Sequence, residues 1–129
     1  MIVRRNLLAP LAALVLAACS GMVGHSGTAP AMTRDGVLVN PAGMTLYTFD
    51  KDPADATKSV CNGPCATNWP PLAADKGAAA SGDWKPISRD DGSMQWSYKG
   101  KPVYLWAKDM KPGDRSGDGV NGVWRIARP

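Results

Sequence analysis

Two cysteines four residues apart, Cys61 and Cys65 in C-N-G-P-C, are the most reactive side chains in the body of this 129-residue sequence. The stretch looks like the Cys-Gly-Pro-Cys of thiol-disulfide oxidoreductases with one residue inserted, and C-x3-C is also a spacing that copper proteins use. Thiol catalysis calls for a first cysteine at a helix N-terminus, where its pKa is depressed. The sequence shows no such signal. A copper site needs further soft or imidazole ligands, and the one histidine, His25, sits far upstream, leaving Met44, Met94 and Met110 as candidates. In an oxidising compartment the pair is expected to close as a disulfide that holds the Asn62-Gly63-Pro64 turn in shape.

Three further groups could do chemistry. Residues 114 to 119, D-R-S-G-D-G, fit the start of a calcium loop with Asp114, Ser116 and Asp118 as ligands, helped by Asn121 or Asp109. An EF-hand is excluded because its twelfth position, which must be a bidentate Glu, falls on Arg125. A looser oxygen-lined site competes with a plain polar turn, which uses the same residue types. Among the tryptophans Trp84, in S-G-D-W-K-P, is the best candidate for an exposed platform that stacks on a sugar ring, although a loop anchor folded onto the domain is the favoured reading. Asp52 and Asp109 could pair as acid and base, but that also needs a shaped pocket. No Ser-His-Asp set, phosphate-binding glycine loop or Glu pair is present. A non-enzyme is therefore expected, with no cofactor.

The compartment decides which of these readings holds. Arg4 and Arg5 precede an apolar run, Leu7 to Ala18, that ends in small residues, the pattern of a secretory signal. A run of that length with Pro10 inside is too short to cross a bilayer, which takes about 20 residues. It closes in Leu16-Ala17-Ala18-Cys19, which resembles the lipobox of bacterial lipoproteins, where the cysteine is acylated and becomes the mature N-terminus. Ser20 rather than Asp follows, which by resemblance to Gram-negative sorting rules favours the outer membrane, on a side the sequence leaves open. Residues 1–18 are thus expected to be removed, residues 19–33 to form a lipidated tether without periodicity, and residues 34–129 to form one small domain.

Composition narrows the domain further. Of fifteen basic residues thirteen lie beyond residue 18, against all eleven acidic ones, a balance of +2 with no basic stripe. Nucleic acid is not an expected partner. Every acidic residue is Asp, and with 14 Gly and 11 Pro the chain reads as strands and turns rather than helices.

The elements that must position these groups come as a repeat. Residues 43–52, G-M-T-L-Y-T-F-D-K-D, and 100–109, G-K-P-V-Y-L-W-A-K-D, share G-x-x-[LV]-Y-x-[FW]-x-x-D. Each follows an Asp-Gly turn and a strand-like stretch, and each precedes an irregular loop and a segment opening on tryptophan, W-P-P-L at 69–72 and W-R-I-A at 124–127. The expected fold is mainly β, two pseudo-repeated hairpin-plus-strand units with long loops, repeat one at about 35–72 and repeat two at about 91–127. Alternation points Tyr47 with Phe49, and Tyr104 with Trp106, to single faces. Packing of the repeats about a pseudo-twofold would bury these four rings together, closed by Trp69, Trp96 and Trp124. Asp52 and Asp109, just past the strand ends, would cap turns or accept bonds from a tyrosine hydroxyl or a backbone N–H.

The Tyr-x4-Asp repeats, Cys61-x3-Cys65-x3-Trp69-Pro70-Pro71-Leu72, Gln95-Trp96 and the Gly100-Lys101-Pro102 turn together resemble the bacterial secreted-repeat lipoproteins whose signature is Y-x-[FWY]-x-x-D. The resemblance spans about residues 35 to 128. It implies an exported, usually lipid-anchored, repeat-built envelope protein and no assigned reaction. The expectation is an outer-membrane lipoprotein that binds or scaffolds at the envelope without catalysis, with a membrane, an envelope glycan or an envelope protein as partner. The alternative is periplasmic metal or redox work.

Overall fold

The computed structural model describes residues 29–129. The signal segment, Cys19, His25 and most of the tether lie outside the described residues. Eight strands form: β1 Met32–Arg34, β2 Val37–Val39, β3 Tyr47–Phe49, β4 Ala73–Ala74, β5 Trp84–Ser88, β6 Met94–Tyr98, β7 Lys101–Tyr104 and β8 Trp124–Ile126. One short helix, α1 at Pro64–Asn68, and a 3-10 turn at Val120–Gly122 interrupt the two long loops. No helix of the described residues is long and apolar enough to cross a membrane.

Turn chemistry sets the hairpins. Asp35-Gly36 between β1 and β2 and Lys99-Gly100 between β6 and β7 take φ values of 50 and 78° and of 48 and 81°. Two-residue hairpin loops require such paired positive φ because it matches the twist of the flanking strands. β5 joins β6 in a five-residue antiparallel ladder, and β6 runs on into β7.

The two units are interleaved rather than placed side by side. β3, from the first unit, lies between β7 and β8 of the second, pairing Tyr47 with Tyr104 on one side and with Ile126 on the other. In the same way Pro70 to Leu72 of the first unit run against β7, through a bridge from Pro71 to Tyr104 and the bonds Leu105 N–H to Pro70 O and Leu72 N–H to Val103 O. β2 is tied in by Leu38 N–H to Ala127 O and Leu46 N–H to Leu38 O, at 2.9 and 3.0 Å.

Alternate residues along these strands feed two apolar clusters, as the period of two requires. Val37, Val39, Tyr47, Cys61, Trp69, Tyr104, Trp124 and Ile126 form the first, with Phe49 and Trp106 packed against it. Leu38, Leu46, Leu72, Trp84, Val103 and Ala127 form the second.

The expected architecture is present, with three corrections. Each unit begins one strand earlier than expected, at β1 and β5, because M-T-R has no buried face and W-K-P-I-S carries a proline, both atypical of strands. Met32 and Thr33 belong to β1 and not to the tether. Trp96 does not close the ring cluster of the tyrosines; it lies against the second cluster, since its neighbour Gln95 takes the other face.

Candidate functional site

The repeated Tyr and Asp side chains meet across the two units. Each tyrosine bonds the aspartate of the other repeat: Tyr47 Oη donates to Asp109 Oδ2 at 2.6 Å, and Tyr104 Oη donates to Asp52 Oδ2 at 2.5 Å. Strand interleaving explains the crossing, because β3 and β7 run antiparallel and carry each tyrosine over the loop of its counterpart. Both phenols are fully buried, and Asp52 and Asp109 are 6% and 8% exposed. A carboxylate withdrawn from water this far is costly unless its lone pairs are met. They are: Asp52 Oδ1 accepts the Val60 N–H at 2.8 Å, and Asp109 Oδ1 accepts the N–H and hydroxyl of Ser116 at 3.0 and 2.6 Å.

Each lock has its own surroundings. Around Tyr104 a chain of donors runs from the Cys61 N–H to Ser59 Oγ, from Ser59 Oγ to Tyr104 Oη, and on to Asp52. The buried guanidinium of Arg89 reaches Cys61 O and Gln95 Oε1, both at 2.6 Å, and Gln95 holds Val103 O, so the disulfide loop is fixed to the sheet. Around Tyr47 the Gly117 N–H donates to the phenol at 3.2 Å. A Cβ at Gly117 would stand 2.9 Å from the Tyr47 and Trp69 rings, so only glycine permits this approach. Burial holds the Asp52 carboxyl above its ordinary range, offset in part by the Tyr104 and Val60 bonds.

Between the locks the aromatic rings form a continuous stack. Phe49 lies on Trp124 with centroids 4.2 Å apart, Trp124 on Trp69 at 3.7 Å and nearly parallel, and Trp69 on Trp106 at 3.9 Å. The order is palindromic: the Trp69 and Trp124 pair marks the pseudo-twofold, and each of those rings also meets a tyrosine edge-on. Offset and edge contacts of this kind add about 0.5–1.5 kcal/mol each beyond burial.

Cys61 and Cys65 are joined as a disulfide with sulfurs 2.06 Å apart, Cys61 fully buried. Pro64 and Cys65 open α1, whose last turn delivers Trp69 to the stack; in the second unit the 3-10 turn delivers Trp124 without a disulfide. Between these two turns lies an open groove of about 410 Å³, bordered by Phe49, Lys51, Cys65, Asn68 and Asn121.

Other residues singled out from the sequence are placed differently. Trp84 is no exposed platform: it is 6% exposed, and its ring lies 4.7 Å from that of Tyr98, its cross-strand neighbour. The polar residues flanking it suggested a loop, but Trp84 opens β5 and packs into the second cluster. Asp114 and Ser116, two of the three proposed calcium ligands, are engaged by separate partners. Asp114 Oδ2 accepts the N–H groups of Met110 and Lys111, capping a turn, and Ser116 is bound to Asp109. Among the described residues no cluster of three or more His, Cys, Asp or Glu is arranged to hold a metal. Sequence reasoning missed Ser59 and Arg89 and met Gln95 only within the Gln95-Trp96 motif, because a polar residue destined for a buried network carries no local signature of that role.

A family described as a secreted repeat of unknown function matches twice, over residues 30–73 and 85–128. The chain belongs to that family, and the two matches coincide with the two interleaved units. No curated protein and no solved structure matches the chain.

Proposed function

We propose that this chain is a lipid-anchored protein of the bacterial cell envelope, held at the outer membrane through Cys19 and acting there as a non-catalytic binding or scaffolding module. The observation that carries the non-catalytic part is the state of the repeated Tyr and Asp groups. Both pairs are buried, and every one of the four carboxylate oxygens accepts a hydrogen bond from within the domain. Their chemistry is used in joining the repeats. The anchoring part rests on Leu16-Ala17-Ala18-Cys19 behind an n-region with Arg4 and Arg5, together with membership of a secreted family. A metal or redox role would draw on Cys61 and Cys65, whose sulfurs are already bonded to each other.

The test is expression of the full precursor, with fractionation of membranes and intact mass analysis. Acyl chains on Cys19, loss of residues 1–18 and sedimentation with the outer membrane are expected, all abolished in Cys19→Ala. A wild-type protein recovered soluble and unacylated would overturn the anchor. Stoichiometric metal retained through purification without chelator would overturn the non-metal reading.

A further inference from the structure

We propose that an open groove beside Trp96 is a saccharide-binding site, which deepens the envelope-binding function proposed above and rests on it. The groove has a volume of about 560 Å³ and is lined by Trp96, Pro41, Ala79, Asp75, Lys76 and Ser81 among others. That size falls within the roughly 300–1,000 Å³ of small-molecule sites.

Trp96 is set apart from the other tryptophans. Trp69, Trp84, Trp106 and Trp124 each pair with another aromatic ring, whereas Trp96, among the described residues, pairs with none. It is half-buried, supported against the second apolar cluster, and borders the groove. Its backbone is rigidly placed on β6, opposite Pro86 of β5, with its N–H on Leu72 O at 2.9 Å. A flat ring held in this way is suited to stack on the apolar face of a sugar.

The polar groups of the groove fit the same ligand. Among the described residues, the Asp75 carboxylate, the Lys76 ammonium, the Ser81 hydroxyl and the Trp96 indole N–H have no hydrogen-bond or ion-pair partner, so acceptors and donors are both available for ring hydroxyls. Asp75 and Lys76 balance in charge, which gives no preference for an anion or a cation. A neutral polar ligand with one apolar face is the chemistry these walls recognise. The groove over the central stack is less suited, because the faces of Trp69 and Trp124 there are covered by other rings.

The wall from Asp75 to Ser81 lies between the two family matches, while Trp96 lies within the second. The repeat thus supplies the platform, and the linker of this particular chain supplies the polar contacts. Selectivity among sugars would reside in residues 75–81.

Calorimetric titration of the full acylated protein in detergent with the tetramer of N-acetylglucosamine, and co-sedimentation with purified cell-wall sacculi, test the site. Saturable binding is expected, weakened about tenfold or more by Trp96→Ala, equivalent to about 1.4 kcal/mol, and largely retained by Trp96→Phe, which keeps a flat ring to stack. Because Trp96→Ala also removes core contacts, Ala79→Arg, at an exposed wall position, serves as an independent block. It is expected to abolish binding at an unchanged melting temperature. Absence of saturable binding by the wild-type protein, or wild-type affinity in both Trp96→Ala and Ala79→Arg, would overturn the proposal. Fractionation of the same preparations separates this from the anchor: a membrane-bound protein that ignores sugar refutes the groove alone, and a sugar-binding protein recovered soluble refutes the anchor alone.

Discussion

Tyr47 and Tyr104 are each the centre of a small polar cluster inside an otherwise apolar domain, and removing a hydroxyl from either leaves a buried carboxylate short of a donor. The two losses differ. Asp109 would keep two bonds from Ser116, and the long Gly117 N–H bond would go; Asp52 would keep only the Val60 N–H, and the Ser59 hydroxyl would fall back on Cys61 O at 3.5 Å. With about 1–3 kcal/mol for a buried group left unsatisfied, Tyr104→Phe is expected to cost more than Tyr47→Phe, the first near the top of that range and the second near the bottom. Urea unfolding of both variants checks the order, and equal small losses would mean that the crossed bonds contribute little. Ionisation gives a second handle. Burial, reinforced by Asp109 and Asp52, raises both phenols well above their ordinary 10.0. Below that value folded and unfolded chains hold these protons alike; as pH rises beyond it the unfolded chain releases protons that the folded chain retains, so stability falls. Tyrosinate absorbance from Tyr47 and Tyr104 should therefore grow in only as the domain unfolds in alkali, and free ionisation near pH 10.0 in still-folded protein would contradict their closed surroundings. The spacing of Tyr and Asp was legible in the sequence as a source of hydrogen bonds. Its crossing was not, because two copies that carry identical groups leave no mark of which copy partners which.

Among the elements, the segments that bring Trp69 and Trp124 to the stack form a natural comparison. Both follow a glycine with positive φ, Gly63 or Gly119, and both end on a tryptophan, yet only the first carries a disulfide. The second is held by the bonds of Ser116 to Asp109 and of Gly117 to Tyr47. The first has the same kind of support in Val60 to Asp52, and Arg89 on Cys61 O besides. A five-residue loop closed by a disulfide restricts the unfolded chain by about 2 kcal/mol in the chain-entropy account. The double variant Cys61→Ala, Cys65→Ala is accordingly expected to fold, with a loss of about that size. Thermal unfolding of the variant, and of wild type with reductant, would show it; failure to fold would make the disulfide the organiser of the loop rather than a local restraint. Strand alternation was readable where side chains alternate in polarity, as in Leu46-Tyr47-Thr48-Phe49. It failed at Trp84, where Gly82-Asp83 and Lys85-Pro86 mimic loop composition although the ring is covered by Tyr98 from the neighbouring strand, a contact that local sequence does not encode.

For the molecule as a whole, interleaving makes the two repeats interdependent. β3 of the first unit has its ladder partners in β7 and β8 of the second, both tyrosines find their aspartates across the boundary, and the central Trp69 and Trp124 contact joins one unit to the other. A lone first unit, residues 29–83, would keep β1 with β2 but would leave the Tyr47 hydroxyl without its acceptor, the Asp52 carboxylate without its phenol, and Trp69 stacked on nothing. Two short strands with no second layer bury too little apolar surface to offset the conformational entropy of ordering. Each half expressed alone is therefore expected to be unfolded by circular dichroism and amide dispersion. Mixing the halves should restore strand signal in a concentration-dependent way, since every missing partner is then supplied in trans. A half that folds alone as a monomer would show that the family repeat is a domain in its own right. The opposite result would explain why the matches come as a pair in one chain: a single copy lacks the partners for its own tyrosine and aspartate, and the second copy supplies both.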